Sequence, residues 1–198
     1  MSKNPGKGSA YERRFCKDLS LWWSNDHRDD IFWRSQTSGG RATQRAKSNQ
    51  TTHGQYGDVA STHPRGDSLL KFMTIELKNG YQKNPFCELI DFPNWNVDLM
   101  WEKWIAQARR SKEQSGSESW MIVHQRTGRH GVVCAPQETF TILQVGMDRL
   151  RCDFPHAIIK RDDLGLHVIF FRLQDFWLID PKKLRELMEP RKVRKKKR

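Results

Sequence analysis

Apolar residues recur at helical spacing near the start of the chain. Phe15, Leu19, Trp22 and Trp23 fall on one stripe of residues 9–23, which predicts a helix with that stripe buried. Residues 31–35, Ile-Phe-Trp-Arg-Ser, predict a first strand, which leads into a Gly-, Ser-, Thr- and Arg-rich loop from 36 to 55. Gly57-Asp58, the turn signal His63-Pro64-Arg65-Gly66-Asp67 and the run 69–73 then predict strand, turn, strand. On the second arm Ile75 and Leu77 face one side, and Glu76 and Lys78 the other. Leu99, Met100, Trp104 and Ala108 predict a helix over 98–112, after a Pro- and aromatic-containing segment at 80–96. Residues 119–124 and 131–135 predict a hairpin across Arg126-Thr127-Gly128-Arg129. Farther on, 167–171 predicts a strand, and 176–179 either a strand or a short buried helix. Asp180-Pro181 supplies an N-cap and a first-position proline for a final helix striped by Leu184, Leu187 and Met188. This alternation predicts an α/β fold with a mixed central β-sheet flanked by helices.

The polar positions within that pattern carry the candidate chemistry. Glu76 and Lys78 stand side by side on one strand face, and Asp58 is positioned to arrive from the neighbouring arm. Two carboxylates beside a lysine suit a hard cation: oxygen donors hold Mg²⁺, and the ammonium orients a water or neutralises developing charge. A strand with one solvated face also shows such residues by chance, so the triplet alone is a weak signal. Glu12, three residues before Phe15, shares the face of the first helix that borders its apolar stripe. There it needs a cation as partner, or is simply an acid favoured near a helix N-terminus.

The order of these elements resembles the PD-(D/E)XK nuclease superfamily, and within it the archaeal-type Holliday junction resolvases. Gly8-Ser-Ala-Tyr-Glu12-Arg13, Arg34-Ser35 with Ser38-Gly39, Gly57-Asp58 and Ile75-Glu76-Leu77-Lys78 carry the likeness, which spans residues 8 to about 112. The resemblance implies a restriction-endonuclease-like core working as a divalent-metal-dependent DNA endonuclease, with Mg²⁺ as cofactor and Mn²⁺ able to substitute. It assigns Glu12, Asp58 and Glu76, with the Leu77 carbonyl, to the metal, and Lys78 to the catalytic lysine position. Ser38, or alternatively Ser35, matches the mobile-loop serine near the scissile phosphate. Gln107 matches a helper on the following helix, or is an exposed helix glutamine. Arg13, Arg34, Ser35, Arg41, Arg45 and Lys47 are the implied nucleic-acid contacts. Two departures, the long loop before Asp58 and the segment 80–96, weaken a strict preference for four-way junctions. A sequence-specific or nicking endonuclease of phage or mobile-element type, and a non-catalytic DNA-binding protein on the same fold, stand as alternatives.

Composition narrows the setting. The 198 residues are enough for one domain, expected over 1–190, and the eight Trp and ten Phe furnish its core. A net charge of +12 points to a polyanionic partner, most simply DNA, with RNA not excluded. Residues 191–198 hold seven cations and no acid, so the remainder carries +5; this tail is expected to be disordered and to bind phosphates without sequence preference. The four cysteines are scattered, with no Cys-x-x-Cys, and are expected to be reduced and inert. None of the seven histidines is assigned to catalysis, and the scattered acids Asp148, Asp153, Asp162, Asp163 and Asp175 read as solvated or turn residues. No apolar run is long enough to span a membrane, so the expected location is cytoplasmic, associated with the nucleoid, with the nucleus not excluded because of the basic tail. A homodimer is expected, since two symmetric sites suit the cutting of two strands, and no small-molecule cofactor is implied.

Overall fold

A computed structural model describes residues 5–35, 56–91, 99–146 and 154–188. Ser38, Arg41, Arg45, Lys47, Cys152 and the basic tail lie outside the described residues. The first helix, α1 (Pro5–Ser24), presents Phe15, Leu19 and Trp23 to the core, all at most 2% exposed. It feeds β1 (Phe32–Arg34), which pairs antiparallel with β2 (Val59–Ser61) in a two-stranded sheet.

The segment between β2 and the Glu-x-Lys strand departs from the predicted strand, turn, strand. A 3-10 turn (Pro64–Gly66) is followed by a short helix, α2 (Asp67–Phe72), before β3 (Met73–Asn79). Leu69 and Phe72 are buried three residues apart on that helix. A four- or five-residue apolar run fits a strand or a helix equally well, and here the acid at Asp67 and the turn before it start a helix. β2 and β3 therefore do not form a hairpin ladder; β2 belongs with β1.

β3 opens a mixed five-stranded sheet of order β3-β4-β5-β7-β6, with β4 (Ser119–Gln125), β5 (Val132–Pro136), β6 (His156–Arg161) and β7 (Leu166–Arg172). β3 and β4 are parallel, with Glu76 opposite Ile122 and Lys78 opposite His124; the other pairs are antiparallel. The crossover from β3 to β4 passes through α3 (Glu88–Asp91) and α4 (Met100–Ser115). Between β5 and β6 comes α5 (Gln137–Val145), and β7 is followed by α6 (Leu173–Phe176) and α7 (Pro181–Met188). Asp180 caps α7 as its sequence predicts, its carboxylate accepting from the Lys182 amide at 2.8 Å.

Each face of the large sheet has its own apolar layer. Ile75, Leu77, Met121 and Val123 pack with Phe15 and Leu19 of α1, Phe140 and Leu143 of α5, and Leu184 of α7. Trp120, Ile122, Val168 and Phe170 pack on the opposite face with Trp101, Trp104, Ile105 and Ala108 of α4. Residues 86 and 89 of the segment after β3 add to this second layer, with Leu89 fully buried and Phe86 stacked on Phe170 at 4.6 Å. The architecture is a mixed sheet between helices, the restriction-endonuclease-like α/β fold expected from the sequence.

One sequence expectation is corrected here. Asp175 is not solvated: it is 3% exposed and meets Arg172 through two bonds, at 2.6 and 2.8 Å, as a forked carboxylate–guanidinium pair. His124, not assigned to catalysis from the sequence, is buried, its ring set between Trp101 and Trp104 and its Nε2 3.0 Å from the Gly80 carbonyl oxygen. Burial lowers its pKa below the usual histidine range.

Candidate active site

β3 is the outermost strand of its ladder, so one edge of its backbone is open to a partner. The Gly57-Asp58 corner takes that place. The Asp58 amide donates to the Ile75 carbonyl at 2.8 Å, and the Asp58 carboxylate accepts from the Leu77 amide at 2.7 Å. A strand residue's N–H and C=O point to the same side, so the Leu77 carbonyl faces the edge on which Asp58 sits. From the other direction, the Ser35 amide donates to the Asp58 carbonyl at 2.9 Å, tying β1 to the same corner.

Gly57 makes the approach possible. It adopts a left-handed conformation, φ 75°, and a Cβ there would lie 2.7 Å from the Ile75 carbonyl oxygen. Gly57→Ala is expected to destabilise the fold by more than about 2 kcal/mol, since a left-handed non-glycine residue alone costs ~1–2 kcal/mol. Thermal unfolding beside the wild type checks this, and an unchanged melting temperature would contradict the close approach.

Glu76 is only 1% exposed, so the face it shares with Lys78 is not a solvated one. A buried carboxylate is costly without partners, and α4 provides them. Gln107 Nε2 donates to Glu76 Oε2 at 2.7 Å, Ser111 Oγ donates to Oε1 at 2.8 Å, and Lys78 Nζ lies 3.1 Å from Oε2. Lys78 also donates to Gln107 Oε1 at 3.1 Å, which closes a ring of lysine, glutamate and amide. Gln107 is therefore not an exposed helix glutamine. Ser111 was not singled out in the sequence; its signal was its position four residues after Gln107, on the same helical face.

Asp58 feels these neighbours. Its carboxyl is pushed up to about 7, chiefly by burial and then by the negative charge of Glu76. Lys78 and the Leu77 amide oppose the rise, and Glu12 adds a little to it. Glu12 and Asp58 also both raise the thiol of buried Cys16, to about 12, after burial itself. Glu12, Asp58, Glu76 and Lys78 thus form one electrostatic neighbourhood drawn from α1, the β2 corner and β3. Within it, Glu12 is paired with Arg34 at 3.0 Å, so Arg34 turns inward to a carboxylate. Ser35 is fully buried and Arg13 is exposed. Among the described residues, no three Asp, Glu, His or Cys side chains converge as a ready-made metal cluster.

The chemistry of the donors is that of hard oxygen ligands. Asp58 and Glu76 are two buried carboxylates that raise each other's energy when both are charged, and a divalent cation between them would relieve that repulsion. Among the described residues, the softer donors nearby are held elsewhere: Cys16 is a buried thiol held far from ionisation, and His124 Nε2 meets the Gly80 carbonyl.

Residues 3–186 match the model of a family described as "phage putative PDDEXK endonuclease". The chain belongs to this family. The match supports the superfamily resemblance seen in the sequence, and its description is that of a phage endonuclease rather than of an archaeal-type junction resolvase. Comparison with curated proteins and with solved structures gave no significant match.

Proposed function

We propose that the chain is a divalent-metal-dependent endonuclease of phage type that hydrolyses phosphodiester bonds of DNA. The observation that carries this reading is the Glu76 carboxylate, buried to 1% exposure yet held by Lys78, Gln107 and Ser111 beside the raised carboxyl of Asp58. Carboxylates shifted by burial and by a neighbouring carboxylate concentrate at functional sites. Asp58 and Glu76, with the Leu77 carbonyl beside them and Glu12 nearby, would hold Mg²⁺ or Mn²⁺. Bound there, the cation would supply Lewis-acid polarisation of the phosphate and a lowered pKa for water.

The chain's own residues do the rest. Gln107 and Ser111 fix the Glu76 carboxylate in one orientation, as partners of a metal-ligating carboxylate do. Lys78 Nζ, 11% exposed and anchored at 3.1 Å from both Glu76 and Gln107, is placed to orient an attacking water and offset charge building on the phosphate. Leu77 holds Asp58 in place through its amide. Arg34, by neutralising Glu12, limits the negative charge that an incoming phosphate meets.

A labelled linear DNA duplex, a four-way DNA junction, single-stranded DNA and an RNA duplex, each incubated with Mg²⁺, Mn²⁺ or EDTA, test the reading. The expected result is cutting of the linear duplex with either metal and none with EDTA. Junction-only cutting in paired nicks would replace the phage-type reading with a resolvase acting as a dimer, and RNA-only cutting would replace its substrate. Binding of DNA without cleavage under any condition would leave a non-catalytic DNA-binding protein.

A further inference from the structure

The parallel pairing of β3 and β4 sends two loops out of the sheet side by side, immediately past Lys78. Asn79 stands opposite Gln125, and the Gly80 amide donates to the Gln125 carbonyl at 2.9 Å, so residues 80–84 and 126–130 leave the same end together. Both loops are built rather than loosely strung. The Gln125 side-chain amide donates to the Arg126 carbonyl at 2.9 Å and the Arg129 carbonyl at 2.7 Å, and the Arg129 amide donates to the Arg126 carbonyl at 3.2 Å. Gly128 supplies the left-handed residue of that turn, φ 68°. On the other loop, His124 Nε2 contacts the Gly80 carbonyl and the Trp101 indole donates to the Asn84 carbonyl at 3.1 Å. Tyr81, itself left-handed at φ 50°, is 46% exposed, its ring packed edge-on against Trp104 at 5.0 Å.

What these loops display is positive. Lys83, Arg126, Arg129 and His130 lie on them, and neither 79–87 nor 125–137 contains a single Asp or Glu. Lys83, Arg129 and His130 are exposed and Arg126 is half-buried. Among the described residues, no ion pair engages Lys83, Arg126 or Arg129. Arg28, Arg161 and Arg172, by contrast, each meet an acid two or three residues away, Asp30, Asp163 and Asp175. Two braced, acid-free loops thus carry cations with no ion pair among the described residues, at the strand ends that immediately follow Lys78.

We infer that the β3–α3 and β4–β5 loops form a backbone-binding surface for the nucleic-acid strand flanking the cleaved phosphate, with Arg126 and Arg129 contacting phosphates and Lys83 beside them. This rests on the nuclease reading for its position relative to the scissile bond, and on charge and geometry for its ligand, a polyanionic phosphodiester backbone. The contacts carry no base recognition, because phosphates are the same at every step. These cations are not among Arg13, Arg34, Arg41, Arg45 and Lys47, to which the sequence pointed.

The test is fluorescence anisotropy of a labelled linear DNA duplex titrated with the full chain in EDTA, over a series of KCl concentrations, for wild type, R126A/R129A and the control K160A. Lys160 is exposed on β6, the far edge of the sheet. Each phosphate contact contributes about 0.9 to the slope of log affinity against log salt. The double variant is therefore expected to lose about 1.8 from that slope and to bind roughly tenfold or more weakly at 0.1 M KCl. K160A is expected to match wild type in both. A double variant whose slope and affinity equal those of wild type would overturn the inference, and so would an equal loss in K160A. Cleavage by wild type in Mg²⁺, run in parallel, separates the two levels: wild type that binds through these arginines but never cuts sinks the nuclease reading and leaves the surface standing. Wild type that binds no nucleic acid sinks both.

Discussion

Asp58→Asn is expected to melt higher than the wild-type protein at pH 8 in metal-free buffer while losing nuclease activity. The Asp58 carboxyl sits at about 7 in the fold, against an ordinary value of 3.8, because burial and the charge of Glu76 disfavour its ionised form. The sign follows from proton linkage. Between about pH 4 and 7 the unfolded chain releases this proton and the folded chain keeps it, so folding stability declines across that window and stays low above it. At ~1.4 kcal/mol for each tenfold change in proton affinity, the loss amounts to a few kcal/mol. Asparagine keeps an oxygen to accept from the Leu77 amide, 2.7 Å away in the wild type, and carries no charge to bury. For a chain of this size a few kcal/mol is a shift of roughly 5–10 °C. Thermal melts of both proteins from pH 4.5 to 8.5 in EDTA check it. The curves should converge at the acid end and separate on the alkaline side, and parallel curves would contradict the assignment. Mg²⁺ is expected to recover much of the wild-type deficit and little in the variant, since only a ligand that binds the folded state stabilises it.

Lys78→Ala is expected to lose activity just as fully and to move stability the other way. The Lys78 ammonium contacts Glu76 and Gln107 at 3.1 Å each, and its charge holds the Asp58 carboxyl lower than it would otherwise sit. Without it, two buried carboxylates face each other with only the Gln107 and Ser111 donors on Glu76. Removing one partner of a buried ion pair is costly because the remaining charge is left uncompensated. Cleavage should fall on the order of 10²–10³-fold, the usual effect of deleting one preorganised charge-stabilising donor. Substrate affinity in EDTA should change little, because Lys78 is 11% exposed and is not among the surface cations. Single-turnover rates and melts on the same preparation read both effects. A variant that cuts at the wild-type rate would remove Lys78 from the chemistry; one that melts higher would contradict its charge-balancing role.

The pairing of these two variants, alike in activity and opposite in stability, reflects how the site is made. Much of it was legible in the chain. Period-two alternation placed Glu76 and Lys78 on one strand face, and 3.6-residue spacing placed Gln107 on a helix, predicted at 98–112 and found at 100–115. Alternation says nothing about what covers a face, however, so the burial of Glu76 beneath α4 was not readable from β3 alone. The route of Asp58 was misjudged for a related reason. The sequence offered a hairpin arm, whereas the residue docks on an open strand edge through backbone bonds that leave no trace in side-chain pattern. Two signals were present but passed over: Ser111 four residues after Gln107, and Asp175 three after Arg172. β6 gave little to find, since Ile159 is its one buried residue and Ile158 is 49% exposed. Its burial alternates, but Ile158 faces outward and Arg161 shares the less exposed face with Ile159, so the residue types do not alternate with it.

Family membership and the site therefore rest on different observations, a match over residues 3–186 and a charged ring around Glu76. Together they support the proposal that Asp58, Glu76 and Lys78 cut phosphodiester bonds with a divalent cation. Nicking of supercoiled plasmid DNA by wild type, Asp58→Asn and Lys78→Ala, in Mg²⁺ and in EDTA, tests it most directly. The expected result is relaxed and linear product from wild type in Mg²⁺ alone, with both variants inactive though folded. Nicking by wild type in EDTA, or by either variant at the wild-type rate, would contradict it.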